Sequence, residues 1–323
     1  MNKNAAPSNS PASRGWRDYW KADRPASCVA ENPVTQLEIA DSWQQWFAQR
    51  AEGCRILDVA TGNGILLTHA ASAARVSGRT FVLTGIDLAD IDPTRHVTDP
   101  DGHLRSATFI GGVAAERLPF DAQSFDVVIS QYGLEYADLD SALAEVERVL
   151  VPGGALHWLA HSEGSEVILQ HRHQELEVDF LLASRGPVHV MNAFVTRLRK
   201  HKDMRQSISI LNASLAEAEA FCQQHPPAKV VLQVCGGFAE VAGRWQAYAA
   251  RDLATMMEAA EQRLIAHRLR IRSLLAAVLS PPRLDAVRAR LASPRWQDCT
   301  ISRLRVGSSA SEIGIRIEAR RSA

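Results

Sequence analysis

Apolar residues recur along the chain at two different spacings. Short runs rich in β-branched residues occur at Ile56-Leu57-Asp58-Val59-Ala60, Phe81 to Leu88, Ala107 to Val113, Ser124 to Ser130 and Ala155 to His161. Their length and near-continuous apolar character predict strands buried on both faces of a parallel sheet. Stretches with helical spacing lie between them. Asn32-Pro33 opens one, with Asn as cap and Pro in the first turn. Leu37, Ile39, Ala40, Trp43 and Phe47 form its apolar face. Helices are also predicted over 65–75 and 141–150, and Val151-Pro152-Gly153-Gly154 ends the second. Residues 89–105, with Pro93, Pro100 and four aspartates, predict a long polar loop.

Near the end of the chain the pattern changes. Cys299 to Val306 and Glu312 to Glu318 alternate apolar and polar, which predicts an antiparallel pair on a half-covered sheet. Gly307 to Ser311 links them as a hairpin loop. Before this pair lie about 130 residues, Ser162 to Trp296, with helical spacing throughout. Helices are predicted at roughly 165–184, 188–202, 206–224, 237–250, 251–279 and 283–292. In 251–279 the apolar positions 253, 257, 260, 264, 271, 274 and 278 form a heptad-like seam interrupted by His267.

The first strand breaks at Thr61-Gly62-Asn63-Gly64 and a helix follows. Strand, glycine turn and helix together offer free backbone N–H groups to a ligand. Glycine suits the turn because it tolerates positive φ and leaves room for close approach. A dinucleotide fingerprint would need a third glycine where Leu67 stands, and a phosphate-cradling loop would need a lysine that is missing. Asp87 ends the second strand, where ligands bind in open α/β sheets, and can accept hydrogen bonds from both hydroxyls of a ribose.

Composition narrows the class. The 323 residues carry 36 Lys+Arg and 36 Asp+Glu, a formal net charge of zero that argues against bulk nucleic-acid binding. Five scattered cysteines without a C-x-x-C pair point to reduced thiols and to no metal site. The first residues lack an apolar segment of the secretory kind, and no stretch approaches the length of a membrane span. A cytoplasmic location is expected. Residues 1–14 read as a disordered tail. Trp16, Tyr19 and Trp20 form an aromatic cluster that either packs on the core or closes over the pocket.

Several phrases then fall at matched distances. Asp58 with Gly62 and Gly64 resembles motif I of class I S-adenosylmethionine (SAM)-dependent methyltransferases. Ala114-Ala115-Glu116-Arg117-Leu118-Pro119-Phe120 followed by Phe125-Asp126 resembles the signature of small-molecule members, with Ala114 in place of the usual adenine-contacting aspartate. Arg148-Val149-Leu150-Val151-Pro152-Gly153-Gly154 before a strand is a further family marker. The resemblance covers residues 50–165. It implies a Rossmann-like seven-stranded α/β sheet with an antiparallel last strand. A large helical cap would be inserted between strands 5 and 6. The expected division is a core over 15–165, a helical substrate insertion over 166–296 and a closing hairpin over 297–323.

The resemblance also implies SAM as cofactor. Its site residues would be Asp58, Ala60, Gly62, Asn63 and Gly64 around the turn, then Asp87 and Leu88. Ala114, Ala115 and Glu116, Ser130 and Gln131, and Tyr19 would complete the set. Methyl transfer to O or N of a small molecule in biosynthetic metabolism is the expected activity. A hydroxyl acceptor needs a base, and His161 at the end of the fifth strand is the candidate. Tyr132 and Glu135 are candidates for orienting the substrate. Alternatives are a carrier-protein-bound or RNA substrate, or a silent SAM-binding subunit. Ten arginines between Arg263 and Arg305 motivate the acidic carrier protein as partner, against the plainer reading of a solvated face. The long helix also suits a homodimer interface.

Overall fold

The computed structural model describes residues 16, 19–21, 33–306 and 311–323. The expected tail over 1–14, the cap residue Asn32 and loop residues 307–310 lie outside the described residues. Seven strands form one sheet in the order β3-β2-β1-β4-β5-β7-β6. They are β1 Cys54–Val59, β2 Phe81–Asp87, β3 Ala107–Gly111, β4 Phe125–Gln131, β5 Leu150–Ala160, β6 Trp296–Val306 and β7 Ser311–Arg321. The first five pair in parallel. β7 runs antiparallel to both β5 and β6. The order reverses between β1 and β4, and the crevice at such a switch point is where ligands bind.

Alternating side chains on each strand serve two cores. On one face, Ile56, Ile129 and Leu159 pack with Ile39, Trp43 and Phe47 of α1 (Pro33–Phe47) and with Leu66, Leu67 and Ala70 of α2 (Ile65–Val76). On the other, Leu57, Val128, Leu156 and Trp158 pack with Leu143 and Val146 of α4 (Leu139–Val149). Fully burying a side chain of this size contributes about 1.5–3 kcal/mol. The apolar face expected for α1 is narrower than the sequence implied. Thr35, Ile39, Trp43 and Phe47, four residues apart, are buried, while Leu37 is 64% exposed. The polar stretch after β2 is not wholly a loop. Pro93–His96 forms a short helix, α3, because Pro93 is preset for a first helical turn.

Between β5 and β6 run α5 (Glu166–Leu181), α6 (Pro187–Arg199), α7 (Arg205–Gln224), α8 (Lys229–Arg244), α9 (Ala250–Ala277) and α10 (Pro281–Leu291). The chain divides into two compact units, residues 1–169 with 273–323, and residues 170–272. Within the first, Val287 and Leu291 of α10 join the sheet core. α8 begins eight residues before the expected Gly237. Gly236 and Gly237 lie inside it, and an added Cβ at either would meet nothing within 4 Å. The expected seam of α9 holds at Leu253, Met257, Leu264, Ile271 and Leu274, all buried. In the second unit the buried carboxylate of Glu177 accepts the N–H groups of Val230 and Val231 at 2.7 and 3.0 Å, capping α8. No described helix is long and apolar enough to cross a membrane.

The arginine-rich stretch is charge-matched. Arg268 and Arg272 share one face of α9, as their spacing predicts, and both reach Asp179, at 3.3 and 2.9 Å. Arg272 also meets Glu175 at 2.8 Å. In the first unit Arg290 and Arg295 flank Glu147, and Arg303 pairs with Glu312. These acids are distant in sequence, so the linear count of arginines overstated the free positive charge. Reversing both Arg268 and Arg272 to Glu sets like charges against Asp179 and Glu175. A loss of about 1 kcal/mol in urea denaturation is expected, shrinking in high salt. Unchanged stability at low salt would return these arginines to a merely solvated face.

Candidate functional site

The ends of β1, β2 and β4 surround a cavity of about 290 Å³. Ala60, Asp87, Leu88, Ala114, Ala115, Glu116 and Gln131 stand in its wall, as the sequence predicts, and so does Tyr132. Ala60 and Tyr132 have φ of 58° and 55°, a left-handed conformation at the tips of neighbouring strands. Such strain persists where surrounding structure fixes it, and it clusters at binding sites. Here Tyr132 is held by its N–H on the Leu159 carbonyl at 2.7 Å and by its hydroxyl on the Ile313 carbonyl at 2.9 Å.

With Glu116, Asp87 is one of two acids in the cavity wall. Its Oδ2 accepts the Gly62 N–H at 2.9 Å and its Oδ1 the Ala89 N–H at 2.8 Å. Burial pushes its pKa up to about 6, against these two bonds. Each carboxylate oxygen keeps a further lone pair for a ribose hydroxyl. The cavity therefore fits SAM: an acid for the ribose at β2 and apolar walls from Ile86, Leu88 and Val113 for the adenine. The loop carrying Ala114 to Glu116 is tied down beyond it. Glu145 accepts the Leu118 N–H at 2.7 Å, and Arg148 donates to the carbonyls of Phe120 and Leu118 at 2.7 and 3.0 Å.

Other expected contacts turn out to brace the site from behind. Asp58, Gly62, Asn63, Gly64, Ser130 and Tyr19 are not in the wall. Asp58 is 1% exposed and accepts the Thr61 hydroxyl at 2.6 Å, which pins the turn. Ser130 donates to the Val59 carbonyl at 2.8 Å and accepts the Leu134 N–H at 3.0 Å. Gly62 and Gly64 do adopt positive φ, 53° and 81°. The close approach they permit is by protein, however. A Cβ on Gly62 would come within 2.5 Å of the Trp20 ring, and one on Gly64 within 2.8 Å of Phe109. Asn63 donates to the Trp20 carbonyl at 3.1 Å, so the aromatic segment is fastened to the turn. Tyr19 packs edge-on against Trp16 and Trp20 instead of facing the cavity.

The expected general base stands at the end of β5, as its place in the sequence implies, but outside the cavity wall. His161 is fully buried and stacked on Tyr132 at 4.3 Å between ring centroids. Its Nδ1 lies 2.6 Å from Oε1 of Glu135, itself fully buried. The same oxygen accepts the His161 backbone N–H at 2.9 Å, and Oε2 accepts the Trp158 indole N–H at 3.2 Å. The backbone and indole donors occupy both oxygens of Glu135, and the 2.6 Å contact places one proton between Nδ1 and Oε1. The pair packs behind Tyr132.

Thr61, Tyr136 and Ser273 also stand in the wall and were not among the expected site residues, while Trp16 and Trp20 of the aromatic cluster stand there too. Thr61 and the two tryptophans lie beside motifs that were read. Ser273 is remote in sequence, and nothing in its local pattern marks it.

One pH effect follows from Asp58. Burial pushes its pKa up to about 8, with Asp87 nearby adding to the rise. A raised carboxyl contributes stability that is complete at low pH and is lost as pH rises through the folded value. Thermal stability of the free protein is therefore expected to fall as pH rises from about 4 to about 8, and Asp58→Asn to reduce that fall. An equal fall in the variant would place the titration elsewhere.

The ubiE/COQ5 methyltransferase family profile matches residues 29–184, just under half of the chain. A ubiquinone/menaquinone biosynthesis C-methyltransferase from Hahella chejuensis is 31% identical over 142 residues, covering 43% of this chain and 56% of that protein. A demethylmenaquinone methyltransferase from Chlorobaculum tepidum is 36% identical over 134 residues, covering 39% and 51%. The chain thus spans about half the length of these relatives. Among solved structures, a geranyl diphosphate C-methyltransferase from Streptomyces coelicolor aligns at 14% identity and a TM-score of 0.35, covering 48% of this chain and 66% of that one. The sheet order and the glycine turn agree with the ubiE/COQ5 likeness, so the chain carries a class I SAM-dependent methyltransferase fold, similar over residues 29–184 to that family.

Proposed function

We propose that this protein transfers the methyl group of SAM to a ring carbon of a small hydroxylated aromatic compound of the quinol type. The observation that carries the reading is the make-up of the cavity wall. Asp87 lines it at the end of β2, Tyr132 and Tyr136 line it after β4, and Trp16 adds a third aromatic side chain. The similarity over residues 29–184 to C-methyltransferases of quinone biosynthesis favours carbon as the accepting atom, where the sequence alone pointed to O or N.

SAM, when bound, supplies an electrophilic methyl group. What the chain must do is hold a flat, electron-rich ring in line with it, at about 3 Å, and keep water away. Aromatic walls bind such a ring by burial and by offset or edge contacts. A hydroxylated ring is already nucleophilic at carbon, so a buried His161 is no obstacle.

The test uses SAM labelled with deuterium in the methyl group and 1,4-naphthalenediol kept reduced. A product methylated at carbon 2, located by NMR, is expected. A methyl ether would move the reaction to oxygen. Tight SAM binding without turnover on any hydroxylated ring would favour a silent subunit.

A further inference from the structure

We infer that Gln131 reads an oxygen atom on the methyl acceptor, with its amide orientation set by Trp43. The inference rests on the proposed small-molecule transfer but not on which atom is methylated. Gln131 is the last residue of β4 and stands, partly exposed, in the cavity wall. Its Oε1 accepts the indole N–H of Trp43 at 2.6 Å. An indole nitrogen is a donor only, so the amide must turn its oxygen to Trp43. The –NH₂ group, with two protons to donate, is then the part left for the cavity.

Trp43 is well placed to enforce this. It is 3% exposed, stacked on Phe47 at 5.6 Å and packed against His157 at 4.6 Å between ring centroids. Rotating the amide by half a turn would oppose two donors and leave the buried indole N–H without a partner, a cost of about 1–3 kcal/mol. The Tyr132 hydroxyl beside it is committed to the Ile313 carbonyl. Glu116, across the cavity wall, accepts the Asp138 N–H at 2.8 Å.

The sheet order decides which ligand the amide meets. Asp87 ends β2, and β1 separates β2 from β4. Neighbouring strands lie about 4.8 Å apart, so Gln131 stands roughly 10 Å along the sheet from the ribose acid. With the acceptor set there, Gln131 leaves the cofactor set that the resemblance implies. An –NH₂ donor there selects a hydroxyl, phenolate or carbonyl oxygen over a bare hydrocarbon ring, because an apolar ring would leave the amide unpaired.

The experiment compares binding of 1,4-naphthalenediol and of naphthalene to the protein loaded with S-adenosylhomocysteine (SAH), the demethylated product of SAM. Tryptophan fluorescence reports both. The wild type is expected to prefer the diol. Gln131→Leu should reduce that preference about tenfold and leave SAH affinity unchanged. Trp43→Phe keeps the ring packing and removes the donor, and should reduce the preference about threefold. A wild type with no preference, or a preference intact in Gln131→Leu, would overturn the inference. Loss of SAH affinity in Gln131→Leu would also overturn it, placing the amide on the cofactor. Methylation at carbon is read separately, from the product, so either idea can fail alone.

Discussion

Replacing Asp87 by Ala is expected to weaken SAM binding by about 1.5–3 kcal/mol, roughly ten- to a hundredfold, as for a lost hydrogen bond to a charged group. The structure gives the residue two tasks. Its oxygens hold the N–H groups of Gly62 and Ala89, and so shape the turn. Their remaining lone pairs face the cavity that Asp87 lines. Asp87→Asn keeps one accepting oxygen and should cost less than Ala. The pH dependence has a definite sign. With a pKa near 6, the carboxylate is lost as pH falls through that value, and a protonated carboxyl can no longer accept from both ribose hydroxyls. SAH titrations should therefore show affinity falling below about pH 6 in the wild type and nearly flat in Asp87→Ala. Equal affinity in wild type and variant at pH 7 would remove Asp87 from the site.

The second large effect is on stability. Glu135→Ala strands the backbone N–H and ring Nδ1–H of His161 and the indole N–H of Trp158 in a fully buried space. Each buried donor left without its acceptor costs about 1–3 kcal/mol, so a loss of about 3 kcal/mol or more is expected for the three. Arg283 does not compensate, since it donates to the Glu135 backbone carbonyl at 2.8 Å, not to the carboxylate. Urea denaturation should show this loss, and Glu135→Gln, which keeps one acceptor, should lose less. A cost below 1 kcal/mol in the Ala variant would mean that water or rearrangement satisfies the three donors. Because His161 supports the Tyr132 ring, the Ala variant should also bind a ring-shaped acceptor more weakly at pH values where it remains folded.

The parallel strands were legible because a strand buried on both faces must be apolar along most of its length, as Ile56, Leu57 and Val59 and Val127 to Ile129 are. The glycine turn and Asp87 were legible because positive φ and an acid at a strand end each restrict residue type locally. The antiparallel β6–β7 pair showed itself through alternation, since one face there is solvated.

What tertiary structure alone decided concerns side chains whose partners are far away in the chain. His161 occupies the strand end expected of a base, yet Glu135 and Tyr132 turn it into a buried support. Arg268 and Arg272 read as free charge until Asp179 and Glu175 are brought beside them. Gly62 makes room for Trp20, more than 40 residues earlier, and Ser273 joins a wall built mostly from residues below 140. Sequence spacing fixes the periodicity of one element and the conformations its residues tolerate. Which polar group is satisfied, and by whom, is settled only when elements meet, because hydrogen bonds and burial act over a few ångströms of space and not over distance along the chain.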